Sequence, residues 1–116
     1  MVQCPMPKVQ RPMSPYAAEA AVLLGGLLRK ARIDGKLKAA EVAERAGMSR
    51  GLLRRIEAGD PGCAIGAVFE VAAVVGLPLF NFDRPTMSRT LDSSREIMAL
   101  IPKSVRSSRF EVDDDF

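Results

Sequence analysis

Gly47 stands between two short amphipathic segments, and that break constrains the fold of this chain more than any other feature. Before it, residues 38–46 read KAAEVAERA, with Val42, Ala43 and Ala46 at i, i+1 and i+4 on one helical face. After it, residues 49–59 read SRGLLRRIEAG, with Leu53 and Ile56 on one side and Arg50, Arg54 and Arg55 on the other. Glycine has no Cβ to clash in the left-handed conformation that ends many helices. Met48 supplies an apolar plug for the turn, and Ser49 can cap the second segment by accepting from its first free N–H groups. Small Ala43 and Ala46 let the two segments cross closely. The spacing predicts two short helices, from Lys38 to Ala46 and from Ser49 to Gly59, joined by a tight turn.

The second helix is basic, and Gly51 lies near its start. Glycine costs helix stability. Its presence there brings backbone close to whatever that end approaches. Two short helices joined at a Gly turn, the second carrying arginines outward, form the helix-turn-helix arrangement that reads DNA. The same pattern also fits an ordinary helical hairpin whose arginines make a solvated face.

Composition narrows the remaining classes. A chain of 116 residues makes one domain with tails, large enough for a core without staples. The net charge is only +3 and the isoelectric point about 9.2. Location matters more: residues 84–110 carry Arg84, Arg89, Arg95, Lys103, Arg106 and Arg109 against two acids, Asp92 and Glu96. The last six residues hold four acids and no base. Histidine is absent, which removes the usual catalytic triads and histidine metal sites. Cys4 and Cys63 match no ligand spacing and read as free thiols. No metal, no cofactor and no enzymatic activity are expected, since no reacting constellation can be named. No apolar run reaches roughly 18 residues and no signal pattern opens the chain, so no membrane partner and a cytoplasmic location are expected.

Along the chain, Pro5, Pro7, Pro12 and Pro15 mark residues 1–14 as an extended arm, in which Lys8 and Arg11 offer some affinity for phosphate. A long helix is expected from Pro15 to Ile33, with Ala17, Ala21, Leu24 and Leu28 among its apolar positions. Asp60-Pro61-Gly62 is a turn. Ala64 to Val75 reads as a fourth helix, apolar nearly all round and so buried on more than one side. In residues 78–83, Leu79 with Asn81 and Phe80 with Phe82 alternate at period two, which predicts a short strand. A lone strand needs a partner, and a second copy would supply it as a two-stranded ribbon. The alternative is a short helix or loop on which Phe80 and Phe82 pack. A helix from Met87 to Ile101, stopped by Pro102, makes residues 84–102 a C-terminal extension. Residues 103–116 form a flexible tail with an acidic end. The expected fold class is all-α, four to five helices, with residues 15–83 as the binding and dimerisation domain.

Leu24 to Leu77 resembles the lambda-repressor-like helix-turn-helix domains of the XRE or Cro/C1 type. The landmarks are Leu28-Arg29 and Arg32, Glu41-Val42-Ala43, Gly47-Met48-Ser49-Arg50, Ile56-Glu57-Ala58-Gly59 and Gly76-Leu77. The flanks, Ser14-Pro15, the Gly59-to-Gly62 loop and the expected strand, resemble HipB-type antitoxins, small dimeric repressors that pair with a HipA-type kinase toxin. One departure stands out: Lys38-Ala39 replaces the family's usual Thr-Gln, so the cap and a DNA-contacting amide are missing.

These readings assign roles. Arg50, Gly51, Arg54 and Arg55 are the candidates for base contact, Arg50 first because its fork matches guanine O6 and N7. Lys38, Ser49 and Arg32 are candidates for phosphate contact, which positions without specifying. The resemblance implies that Arg32 pairs with Glu57 and locks the helix packing. Leu79, Phe80 and Phe82 are the dimerisation candidates, and a dimer implies a near-palindromic operator in double-stranded DNA. Phe110, Val112 and Phe116 are apolar anchors of a tail that contacts a HipA-like kinase, or simply part of a solubilising end. The expected function is an antitoxin repressor that regulates its own operon. The alternatives are a stand-alone XRE-type regulator or an interaction module with weakened DNA binding.

Overall fold

The computed structural model describes residues 13–103. They form α1 (Pro15–Asp34), α2 (Ala39–Ala46), α3 (Arg50–Glu57), α4 (Ile65–Val75) and α5 (Arg84–Ala99). There is no strand among the described residues, and the architecture is all-α. The chain divides into two compact units at Phe80 and Asn81, the first holding α1 to α4 and the second α5.

Local chemistry sets the boundaries. Ser14 Oγ accepts from Ala17 N at 3.2 Å and opens α1, with Pro15 in the first turn where its missing N–H costs nothing. Gly47 (φ 71°) and Gly76 (φ 79°) end α2 and α4 in the left-handed conformation. After α2, Gly47 N reaches Glu44 O at 3.1 Å and Met48 N reaches Ala43 O at 2.9 Å, whereas after α4 the Gly76 and Leu77 N–H groups both reach Ala72 O. The expected helices at 38–46 and 49–59 are therefore present, each slightly shorter, with Lys38 and Ser49 as the residues just before them.

In the first unit, α1 packs on α3 and α4, and α2 packs on the same two helices. The core is Leu28, Val42, Ala43, Leu53, Ile56, Val71 and Ala72. Each helix contributes at its apolar period. Gly25 sets how closely α1 approaches α3: a Cβ there would stand 2.5 Å from Ile56 O and 2.9 Å from Glu57 O. Fourth-helix burial is less complete than its composition suggests. Val71 and Ala72 are buried, Val68, Phe69, Val74 and Val75 are half-buried, and Ile65 is 69% exposed.

The strand expected over 78–83 is not formed. Leu79–Asn81 is a single 3-10 turn, and Phe80 (φ 57°) and Asn81 (φ 61°) are both left-handed, which no ladder accommodates. Leu79 is drawn onto the core, and the Phe80 ring meets Phe69 edge-on at 6.4 Å and 75°. Asparagine tolerates the left-handed region better than most residues. Those two anchors bend the chain where four alternating residues suggested extension. The intersubunit ribbon through Leu79, Phe80 and Phe82 loses its basis with the strand; of the alternative, a short helix or loop on which Phe80 and Phe82 pack, the turn and the Phe80–Phe69 contact are present, with Phe80 still largely exposed.

In the second unit, α5 starts three residues earlier than expected. Asp83 Oδ1 accepts from Thr86 N at 2.8 Å and caps it, and Pro85 fits the first turn. The Thr86 hydrogen bonds hold the Asp83 carboxyl below the usual carboxylate range. Met87, Leu91, Met98 and Ile101 recur on one side of the helix and its final turn. Arm residues Lys8 and Arg11 and tail residues Phe110, Val112 and Phe116 lie outside the described residues.

Candidate DNA-binding surface

The surface is built on α3. Leu53 and Ile56 are buried beneath it, while Arg50, Gly51, Arg54 and Arg55 are exposed on the opposite side. Arg50 and Arg54 are four residues apart, so their side chains project from one edge of that face. Ser49 Oγ accepts from Leu52 N at 3.0 Å, which fixes the N-terminal turn that carries Arg50. A Cβ added at Gly51 would meet only Ser49 Oγ, at 3.9 Å. Nothing inside the protein requires glycine at that position.

The arginines differ in their engagement. Arg55 Nε donates to Asp60 Oδ2 at 3.0 Å, and Asp60 Oδ1 also accepts from Gly62 N at 2.8 Å. The Gly62 N–H first, and Arg55 second, hold the Asp60 carboxyl below the usual carboxylate range. Arg50 and Arg54 have no ion-pair partner among the described residues. Their guanidinium groups are therefore available, whereas Arg55 must leave Asp60 to contact anything else.

The opposite end of α3 is held rigidly. Arg32 Nε and Nη2 donate to Glu57 Oε2 and Oε1 at 2.7 and 3.0 Å, and Arg32 Nη1 donates to Leu37 O at 3.1 Å. The two side chains are only 14% and 8% exposed. This planar fork uses three of the guanidinium's N–H groups. The geometry makes Arg32 a buttress, joining α1, the loop after it and α3, and leaves little of it for a phosphate. Gly59 (φ 85°) completes the end: a Cβ there would lie 2.6 Å from Val22 Cα.

At the start of α2, Lys38 cannot accept a hydrogen bond. Glu41 Oε1 instead accepts from Lys38 N at 2.9 Å, so half of a capping box survives and the Lys38 ammonium stays exposed. Ala39 packs against the core. Three residues hold roles that the sequence pattern alone does not assign: Glu41, a landmark that caps; Asp60, a turn residue that pairs with Arg55; and Gly25, which admits α3. The signals were present: a carboxylate three residues into α2, an Asp in a turn five residues after Arg55, and a glycine inside an apolar helix, which calls for a packing reason.

A family model described as a helix-turn-helix domain matches residues 23–80, half of the 116 residues. The chain belongs to the helix-turn-helix domain family. The match covers the turn at Gly47, the basic face of α3 and the Arg32–Glu57 pair, and it ends inside the bend, at Phe80. Neither curated proteins nor solved structures yield a match. In a helix-turn-helix domain the second helix of the pair lies in the major groove and its N-terminal residues meet base edges. Here the second helix of the pair is α3, which opens with Arg50 and Gly51. No helix among the described residues is long and apolar enough to cross a membrane, and none of the described side chains cluster as metal ligands.

Proposed function

We propose that this protein is a sequence-specific transcriptional repressor of the lambda-repressor-like type that binds a near-palindromic operator as a homodimer. The carrying observation is the pairing of an unengaged basic face, Arg50 and Arg54 around Gly51, with a rigidly seated helix beneath it. Arg50 reads guanine through O6 and N7, and Arg54 reaches the next base or a phosphate. Lys38 and Ser49 lie at the starts of α2 and α3, where helix N-termini favour phosphate oxygens. Ala39 withholds the usual amide contact, so readout rests on arginine. An eight-residue helix makes few base contacts, and two copies about 34 Å apart supply the rest.

The finer reading is that the repressor is an antitoxin that neutralises a HipA-like kinase and represses the operon encoding both. Its support is the resemblance at Ser14-Pro15 and the Gly59-to-Gly62 loop, to which the unformed strand adds nothing, and the tail in which Phe110, Val112 and Phe116 alternate with acids. Selection from a random DNA library tests the repressor: enrichment of two inverted half-sites about 10 base pairs apart is expected. Enrichment of no sequence over random DNA would instead favour the interaction module. Co-purification with a kinase encoded beside it, lost on removing residues 110–116, tests the antitoxin role.

A further inference from the structure

We propose that the outer face of α1 is a self-complementary docking surface on which a second copy of the chain lies antiparallel, α1 against α1. This contact rests on the homodimer proposed above and supplies the interface that the unformed strand does not. α1 is apolar on two sides. Gly25 and Leu28 are buried on one side, where Gly25 meets the backbone of α3. Leu23 stands two positions before Gly25, about 200° around the helix. There Tyr16, Leu23 and Leu27 recur at helical spacing and are 85%, 63% and 42% exposed. A contiguous apolar stripe marks an interaction site, unlike apolar residues scattered singly. It lies opposite the side of α1 that carries α3, so it is separate from the reading face of Arg50 and Arg54.

Two observations select a second copy as the occupant. The first is charge. Glu19 and Lys30 are about three turns apart and so share one edge of the stripe, with Leu23 and Gly26 between them. The acid lies toward the N-terminal end and the base toward the C-terminal end. A two-fold axis across α1 reverses the helix and keeps each edge on its own side. An antiparallel copy therefore sets Glu19 opposite Lys30 of the second copy, and Lys30 opposite its Glu19. A parallel copy would set like charges side by side. Glu19 has no ion-pair partner among the described residues. Lys30 holds Asp34 at 2.7 Å, but both side chains are largely exposed, and such a pair exchanges readily. The second observation is Gly26. A Cβ there would meet nothing beyond its own helix within 4 Å, and a mid-helix glycine costs stability. In the register that pairs Glu19 with Lys30, Gly26 falls opposite Leu23 of the second copy. The missing side chain seats that leucine and lets the two helices approach closely.

Sedimentation equilibrium of the full chain without DNA, across a concentration series at about 0.1 M salt, tests the contact. A dimer is expected for the wild type. Glu19→Lys and Lys30→Glu each set like charges opposite one another twice, and each should raise the dimer dissociation constant by about tenfold or more. Mixed in equal amounts, the two variants should form a heterodimer of near wild-type strength, because both ion pairs return. Leu23→Asp should leave a monomer with unchanged helical circular dichroism, and the mixing experiment decides the matter if that variant loses its fold. Four results overturn the contact: a wild type monomeric throughout, a folded Leu23→Asp variant that still dimerises, single charge variants that dimerise as the wild type does, or a mixture that pairs no more tightly than its components. Operator selection reads out separately. Inverted half-sites selected by a chain that does not pair through α1 overturn the α1 contact alone, and α1 pairing without any selected half-site overturns the DNA-reading role alone.

Discussion

The two ends of α3 are made by opposite means. At its C-terminal end the fold grips the helix: Glu57 is held by Arg32, Gly59 lies against Val22, and Gly25 admits the α3 backbone at close approach. At its N-terminal end Ser49 satisfies the backbone, but Arg50, like Arg54 one turn on, has no ion-pair partner among the described residues, and a Cβ at Gly51 would meet only Ser49 Oγ. One end fixes the helix, and the other leaves its chemistry unspent. The lesson is clearest in the glycines. Gly25 and Gly59 are required by the fold, whereas Gly51 weakens the helix with no internal return, which points to an external surface that comes close.

That contrast can be broken by substitution. The largest effect is expected at the fixed end. Gly25→Ala or Gly59→Ala drives a methyl into backbone and should cost about 3 kcal/mol, lowering the melting temperature by more than about 10 °C. A near-unchanged melting temperature would mean α1 and α3 do not approach as closely as described. Next, Glu57→Ala leaves the Arg32 guanidinium half-buried and unpaired, for a loss of about 3 kcal/mol in chemical denaturation. Its DNA affinity, corrected for the folded fraction, should fall by less.

Gly51→Ala sharpens the comparison because its two readouts should move in opposite directions. Stability should rise by about 0.5 kcal/mol or more, while affinity for the operator should fall. Loss of stability, or unchanged affinity, would remove the special role given to that end. The smallest effect concerns acid. Asp60 and Asp83 have carboxyl groups lowered by hydrogen bonds, so the stability they contribute is complete above the unfolded value near ~3.9 and is lost as pH falls through their lowered folded values. Asp60→Asn should therefore differ from the wild type in urea midpoint at pH 6 and converge with it near pH 2.

Much of this was legible in the residues, for reasons that differ by element. Gly47, Ser49, Leu53 and Ile56 act within one turn of themselves, so local spacing defines α2, α3 and the turn between them. The Arg32–Glu57 pair spans 25 positions and came from resemblance; periodicity holds no trace of it. The bend at Leu79–Asn81 departs from the expected strand because period-two alternation over four residues says nothing of what each residue touches. Leu79 on the core and Phe80 against Phe69 are tertiary contacts, and they override the local pattern. The close approach at Gly25 depends on α3 backbone more than 30 residues away, and only the assumption that a mid-helix glycine needs a cause would have revealed it.

The central claim is that the exposed end of α3 reads sequence while Lys38 only positions. Binding of Arg50→Ala and Lys38→Ala to the selected operator and to scrambled DNA, each across a salt series, tests it most directly. Arg50→Ala is expected to lose about 1–3 kcal/mol on the operator and far less on scrambled DNA. Lys38→Ala should weaken both alike and reduce the salt slope by about one. Equal losses on operator and scrambled DNA for Arg50→Ala would contradict the account.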